Sequence, residues 1–276
     1  MRVLPIAARN DFPSAIAHGM IELLTLGGVR LVTGDDSESS LGLAQPKRVA
    51  LLAYLAVATA ETPVRRDVLL ALFWPALSEE ERERALRQAL YYLRRAIGED
   101  VVGVTGDELV LREASLRCDA AVFERLLRDG RPVEALEVYQ GDFLDGFHID
   151  EAGPELEEWV RRTRARLRRG AAGAAWLATD AAVSAGQTER AIELARRACE
   201  LEPDQEAGWR RLMKLQDARG DRAGALQTYD ALSDRLAREL DAKPAPETSA
   251  LAERIRTAMA SGGGASVSGT AEIAPG

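Results

Sequence analysis

The stretch Arg84-Ala85-Leu86-Arg87-Gln88-Ala89-Leu90-Tyr91-Tyr92-Leu93-Arg94-Arg95 decides how the first half of the chain is read. Leu86, Leu90, Leu93 and, just beyond, Ile97 step by four, three and four residues, which puts them on one stripe of an α-helix and commits that stripe to a core. Arg84, Gln88, Tyr91 and Arg95 repeat those steps on the opposite side, flanked by Arg87 and Arg94. Between Arg82 and Ile97 the acid Glu83 stands among five arginines, so the outward side is locally positive. Arginine and glutamine make bidentate contacts with guanine and adenine edges, and arginine and tyrosine also reach phosphate oxygens. A charged helix face is ordinarily only a solvated face, so the surrounding elements must decide between the two readings.

Those elements form a definite order. Ser78 followed by Glu81 is a capping-box pattern, with Glu79 and Glu80 adding negative charge at a helix N-terminus, and Gly98 closes the same helix. A shorter helix follows Pro63, carries Val68, Leu69, Leu72 and Phe73, and ends before Pro75. The run 47–58, with Val49, Leu51, Leu52, Leu55 and Ala56, predicts another. Residues 20–32 read as strand, Gly27-Gly28 turn and strand. Residues 101–111 read as a hairpin around Gly106-Asp107. Strands, three helices and a hairpin are the winged helix-turn-helix plan, in which the third helix enters the major groove and the hairpin lies beside it. Residues 20–115 hold 11 Lys plus Arg against 15 Asp plus Glu, so non-specific affinity for DNA is expected to be modest and salt-sensitive.

Beyond Ser115 the pattern is helical. Gly186 and Gly220, Ala191 and Ala225, Ile192 and Leu226, and Ala198 and Leu232 are each 34 residues apart, the tetratricopeptide period. Trp176 and Trp209 are 33 apart. The segment Gly130-Arg131-Pro132-Val133-Glu134-Ala135-Leu136 resembles the same turn and second helix but lies off the period, with an insertion around 142–153. The expected fold is mainly α: an N-terminal winged helix-turn-helix with a small β-sheet and wing over 20–115, then a TPR-like α-helical repeat domain over 116–258. Residues 1–19 read as an extension, with Met20 an alternative start, and 259–276 as a disordered tail.

Composition narrows the chemistry. The chain has 276 residues, 46% hydrophobic and 5% aromatic, with a net charge of −8, enough for two helical domains. The longest uncharged apolar run, 49–60, is too short to span a bilayer, so no membrane partner is expected. Cys118 and Cys199 are far apart and read as buried small hydrophobes, and with only His18 and His148 there is no metal cluster or nucleophilic triad. Asp35, Asp36 and Glu38 are too close-set to favour a cation. No catalytic, cofactor-binding or metal residues are therefore assigned, an enzyme is not expected, and the reducing cytoplasm suits the cysteines. Six arginines in residues 161–169 admit a second phosphate-binding face, but Glu157 and Glu158 stand where they pair with Arg161 and Arg162, which favours a solvated face. Trp74, Trp176 and Trp209 read as core anchors.

Leu72-Phe73-Trp74-Pro75, followed by the stretch quoted at the outset, resembles the OmpR/PhoB-type winged helix as found in SARP-type activators. Cys118-Asp119-Ala120-Ala121-Val122-Phe123, and Tyr139-Gln140-Gly141-Asp142-Phe143-Leu144-Asp145-Gly146-Phe147 with Trp159 and Arg162, resemble the opening of the bacterial transcriptional activator domain that follows it in that family. The resemblance spans about residues 20–258. It implies sequence-specific binding to direct repeats in promoter DNA and recruitment of RNA polymerase, with the homodimer left open. It assigns DNA contact to Arg84, Arg87, Gln88, Tyr91 and Arg95, and Arg94 is added as a neighbour. Tyr91 and Tyr92 depart from the charged residues common at these positions in response regulators, and control through a receiver domain ahead of the winged helix is not expected. The alternative reading is a TPR-type scaffold whose winged helix no longer binds DNA.

Overall fold

A computed structural model describes residues 21–32, 46–58, 62–112, 116–149 and 153–262. The expected extension at 1–19, the acidic loop with Asp35, Asp36 and Glu38, and the far end of the expected tail lie outside the described residues. Packing divides the chain into two units, one of the described residues up to Phe123 together with 138–164, the other of 124–137 together with 165 onward. Sequence order separates 20–115 from 116–258. The packing instead carries part of the second stretch into the first unit.

In the first unit β1 (Ile21–Leu24) pairs antiparallel with β2 (Arg30–Val32), Leu23 opposite Leu31. Gly27 sits between them at φ 86°, a conformation open to glycine at no steric cost. Helix α1 (Pro46–Ala58) is buried from Val49 through Val57, as its uninterrupted apolar sequence requires. A short strand not foreseen in the sequence, β3 (Val64–Arg65), precedes α2 (Arg66–Phe73), which buries Leu69 and Phe73 and leaves Val68 exposed. Helix α3 (Glu79–Ile97) starts at a capping box, where the Ser78 amide and hydroxyl both donate to the Glu81 carboxylate. It buries Leu86, Ala89, Leu90, Leu93 and Ile97, the stripe its spacing marks out. Each buried leucine contributes about 1.5–3 kcal/mol to this core. β4 (Val102–Thr105) and β5 (Glu108–Leu111) form the hairpin, and β5 pairs on its other side with β3, giving the order β3-β5-β4.

The first unit is then completed from farther along the chain. Strand β6 (Leu116–Cys118), also absent from the sequence reading, pairs parallel with β1 and makes the sheet β2-β1-β6. Residues 139–147 pack on the β1–β2 turn: Gly27 N donates to the Asp142 carbonyl at 3.0 Å and Leu144 N to the Thr25 carbonyl at 2.8 Å. Gly141 meets Gly27 so closely that an added Cβ would lie 2.8 Å from the Gly27 Cα. The insertion that breaks the helical period is therefore a buttress of the N-terminal sheet. Arg164 ties it down by donating to the Phe143 and Leu144 carbonyls at 3.0 Å each, and Trp159 packs on Phe143 and Tyr54.

The second unit is helical. α4 (Asp119–Arg128) and α6 (Pro154–Ser184) begin in the first unit and end in this one, which also holds α5 (Pro132–Val138), α7 (Thr188–Leu201), α8 (Glu206–Ala218), α9 (Arg222–Leu240) and α10 (Pro246–Gly262). At Gly186 the Gly and the following residue donate to the Val183 and Ala182 carbonyls. At Gly220 they donate to the Asp217 and Gln216 carbonyls, 34 residues on in each case. The same pair recurs at Gly130, to Leu127 and Leu126, so the off-period segment makes the same turn. Five residues after each glycine stands a fully buried alanine, Ala135, Ala191 or Ala225, small enough to let paired helices approach closely. Trp176 and Trp209 flank the cluster of Ile192, Ala195, Cys199 and Leu212. Helix α10 runs to Gly262, beyond the expected start of a tail at residue 259. It packs Leu251, Ala252 and Ile255 on Met213 and Ala225. No helix among the described residues is long and apolar enough to cross a membrane.

Candidate nucleic-acid interface

One ion pair and one backbone clamp fix α3 in the first unit. Arg66, at the start of α2, makes a forked pair with Glu83, Nε to Oε1 at 3.0 Å and Nη2 to Oε2 at 2.6 Å. That guanidinium holds the Glu83 carboxyl below the usual carboxylate range. The acid in the reading segment is thus neutralised from outside it. Arg65 pairs with Asp67 at 2.8 Å on the surface beside it. Arg82 donates from Nε to the Leu77 carbonyl at 2.8 Å, bracing the turn between α2 and α3.

On α3 itself Arg84, Arg87, Gln88, Tyr91 and Arg95 are all exposed, Tyr91 by 57%. The structure thus brings five of the six expected contact residues together on one open face. Arg94 does not join them. It is half-buried, and its Nη2 donates to the Val102 carbonyl at 3.1 Å, linking the C-terminal turn of α3 to the first strand of the hairpin. Its neighbour Arg95 takes the outward position. Arg94 lies seven residues beyond Arg87, almost on the same line of the helix, but at this end of α3 that line meets β4.

Sequence reasoning missed a further group. Arg48, in the first turn of α1, stacks its guanidinium 3.8 Å from the centre of the Tyr92 ring, and Tyr92 lies edge-on to Tyr91 at 5.5 Å. The dipeptide Lys47-Arg48 at the head of an apolar helix was the available signal. The arginines of 161–169, read above as a solvated face in preference to a phosphate-binding one, are largely engaged. Arg161 and Arg162 pair with Glu158, Arg164 holds the two carbonyls, and Arg166 pairs with Glu124 at 3.0 Å. Trp74 is half-buried against Phe73.

The family model described as "Bacterial transcriptional activator domain" matches residues 118–256. The chain belongs to this family. The order of its elements is in keeping with the resemblance to SARP-type regulators seen in its sequence. Among solved structures, the bacterial transcriptional activator domain chain is similar to Mycobacterium tuberculosis EmbR in complex with a low affinity phosphopeptide, with 20% identity and a TM-score of 0.60 over 86% of this chain and 65% of that one. It thus spans less than two thirds of the EmbR chain, and the likeness is one of fold. A Podosopora anserina putative kinesin light chain with nearly identical TPR-like repeats aligns at 15% identity over 79% of this chain and 98% of that one, at a TM-score of 0.25, too low to carry an argument. No curated protein matches the sequence. The β6–α4 junction and the 139–147 buttress, on which the resemblance to that domain rested, both fall within the matched residues, whereas 72–75 and 84–95, which carried the winged-helix resemblance, lie outside them.

Proposed function

We propose that the chain is a sequence-specific DNA-binding regulator, probing the major groove with α3 while the β4–β5 hairpin reaches the neighbouring groove. The observation that carries this is the open face of Arg84, Arg87, Gln88, Tyr91 and Arg95 on a helix immediately followed by a hairpin. Arg87 and Gln88 have the donor geometry for guanine and adenine edges. Arg84 and Arg95, one at each end of the face, are placed for the flanking phosphates. In this reading residues 20–115 supply the DNA-binding module and 116–258 the module that recruits RNA polymerase. The sites are direct repeats near promoters, and the protein acts as an activator in the cytoplasm.

The test is selection of bound genomic fragments followed by footprinting. The chain is expected to protect repeated half-sites, and Arg87→Ala with Gln88→Ala to abolish the preference for them. Full sequence-selective binding by that double variant rejects α3 as the reading element. The net charge of −8 favours a second reading, a scaffold whose winged helix docks protein. Absence of binding to any genomic fragment at low salt, with capture of a protein partner by residues 118–258, decides for it.

A further inference from the structure

Between the head of α1 and the middle of α3 lies a cavity of about 100 Å³ lined by Lys47, Arg48, Trp74, Ala85, Gln88 and Ala89. That is roughly the space of three liquid waters at about 30 Å³ each, the scale of a single phosphate group. Its floor is open because α3 presents alanine at positions 85 and 89, one turn apart. No carboxylate lines it among the described residues, while two cations do.

The orientation of Arg48 matters. A guanidinium stacked on an aromatic ring keeps its N–H groups in the plane of the stack, turned to the side and available to an anion. Tyr92 holds Arg48 by its ring face, 3.8 Å from the guanidinium carbon, at the edge of this cavity. Gln88 belongs both to this lining and to the exposed face of α3. An anion seated here would stand directly beside the bases that α3 reads, where the sugar-phosphate backbone bordering the major groove runs.

The geometry points to this cavity as the seat of one DNA backbone phosphate, gripped by Lys47 and Arg48 and setting the depth and register of α3. The assignment rests on the DNA-binding reading above. It adds a contact made by α1, an element outside the expected recognition residues, whose work is positional and blind to sequence.

The experiment measures affinity of the full chain for a selected fragment and for the same fragment with one half-site scrambled, between 50 and 200 mM salt. Lys47→Ala with Arg48→Ala is expected to weaken both complexes by about tenfold, to reduce the slope of log affinity against log salt by about one, and to leave the ratio between fragments unchanged. Ala85→Glu fills the cavity with a carboxylate from a helical position that tolerates it, and is expected to produce a larger uniform loss. Circular dichroism checks that both variants fold. An unchanged salt slope with affinity within twofold overturns the seat while leaving the DNA-binding reading intact, as does a loss confined to the selected fragment. Failure of the unaltered chain to bind any fragment overturns that reading and the seat together.

Discussion

Thr25 and Asp119, 94 residues apart, are locked together in the buried heart of the first unit. The Thr25 amide donates to both carboxylate oxygens of Asp119 at 2.8 and 2.9 Å, and the Thr25 hydroxyl to Oδ1 at 2.6 Å. The Leu26 amide donates to Oδ2 at 2.9 Å, and the Ala120 amide to Oδ1 at 2.7 Å. Asp119 opens α4, so one side chain both caps a helix of the matched domain and satisfies the chain where β1 ends. Asp119→Ala leaves several buried donors without an acceptor and is expected to cost about 3 kcal/mol. Hydrogen-exchange protection of residues 21–26 and 119–123 should fall by about a hundredfold, while that of 188–240 is retained. Unchanged protection at Thr25 and Leu26 refutes the clamp.

Arg94 makes a different prediction from its neighbours. Because it donates to the Val102 carbonyl, Arg94→Met is expected to loosen the hairpin by about 1 kcal/mol. Faster amide exchange across 102–111 in the DNA-free chain is the measurement. Arg95→Met, one residue on and exposed, should leave that exchange untouched and act only on DNA affinity. Equal exchange rates in the two variants remove Arg94 from its bracing role.

The contrast between Arg94 and Arg95 shows how far the sequence could be read. Core stripe, capping box and hairpin are local properties of spacing and turn chemistry, and Leu86, Leu90, Leu93 and Ile97 are buried as their steps require. Pairings over long separations have no such local signature. β6 is three residues long, β3 two, and each exists only because a distant strand supplies its hydrogen bonds. The buttress at 139–147 was visible as an interruption of the period, but nothing near it in sequence names Gly27 as its contact. The site divides in the same way: the helix periodicity puts Arg84, Arg87, Gln88, Tyr91 and Arg95 on one face, while Lys47 and Arg48 join it only through tertiary packing.

The repeat turns allow a test of the 34-residue correspondence. Ala191 and Ala225 occupy equivalent, fully buried positions, so Ala191→Leu and Ala225→Leu should each overpack a helix pair and cost about 1–3 kcal/mol. Gly186→Ala and Gly220→Ala, at φ 71° and 89°, should each cost about 1 kcal/mol or more. Urea unfolding followed by tryptophan fluorescence reads both pairs. A clear loss in one member and none in the other breaks the equivalence.

The cysteines set an alkaline limit. Cys118 and Cys199 are buried, and burial pushes both thiols up to about 12, against about 8.5 in an unfolded chain. As the folded values are the higher ones, the unfolded chain releases these protons first as pH rises. The stabilising contribution is therefore complete below the unfolded value and is lost progressively toward pH 12. Native-state alkylation at pH 8 should be far slower than that of a free thiol, since only about one thiol in ten thousand is ionised, and should reach the free-thiol rate in denaturant. Between pH 9 and 11, stability should fall more steeply in this chain than in Cys118→Ala with Cys199→Ala. Rapid alkylation of either cysteine in the folded chain, or identical alkaline slopes in the two proteins, contradicts the assignment.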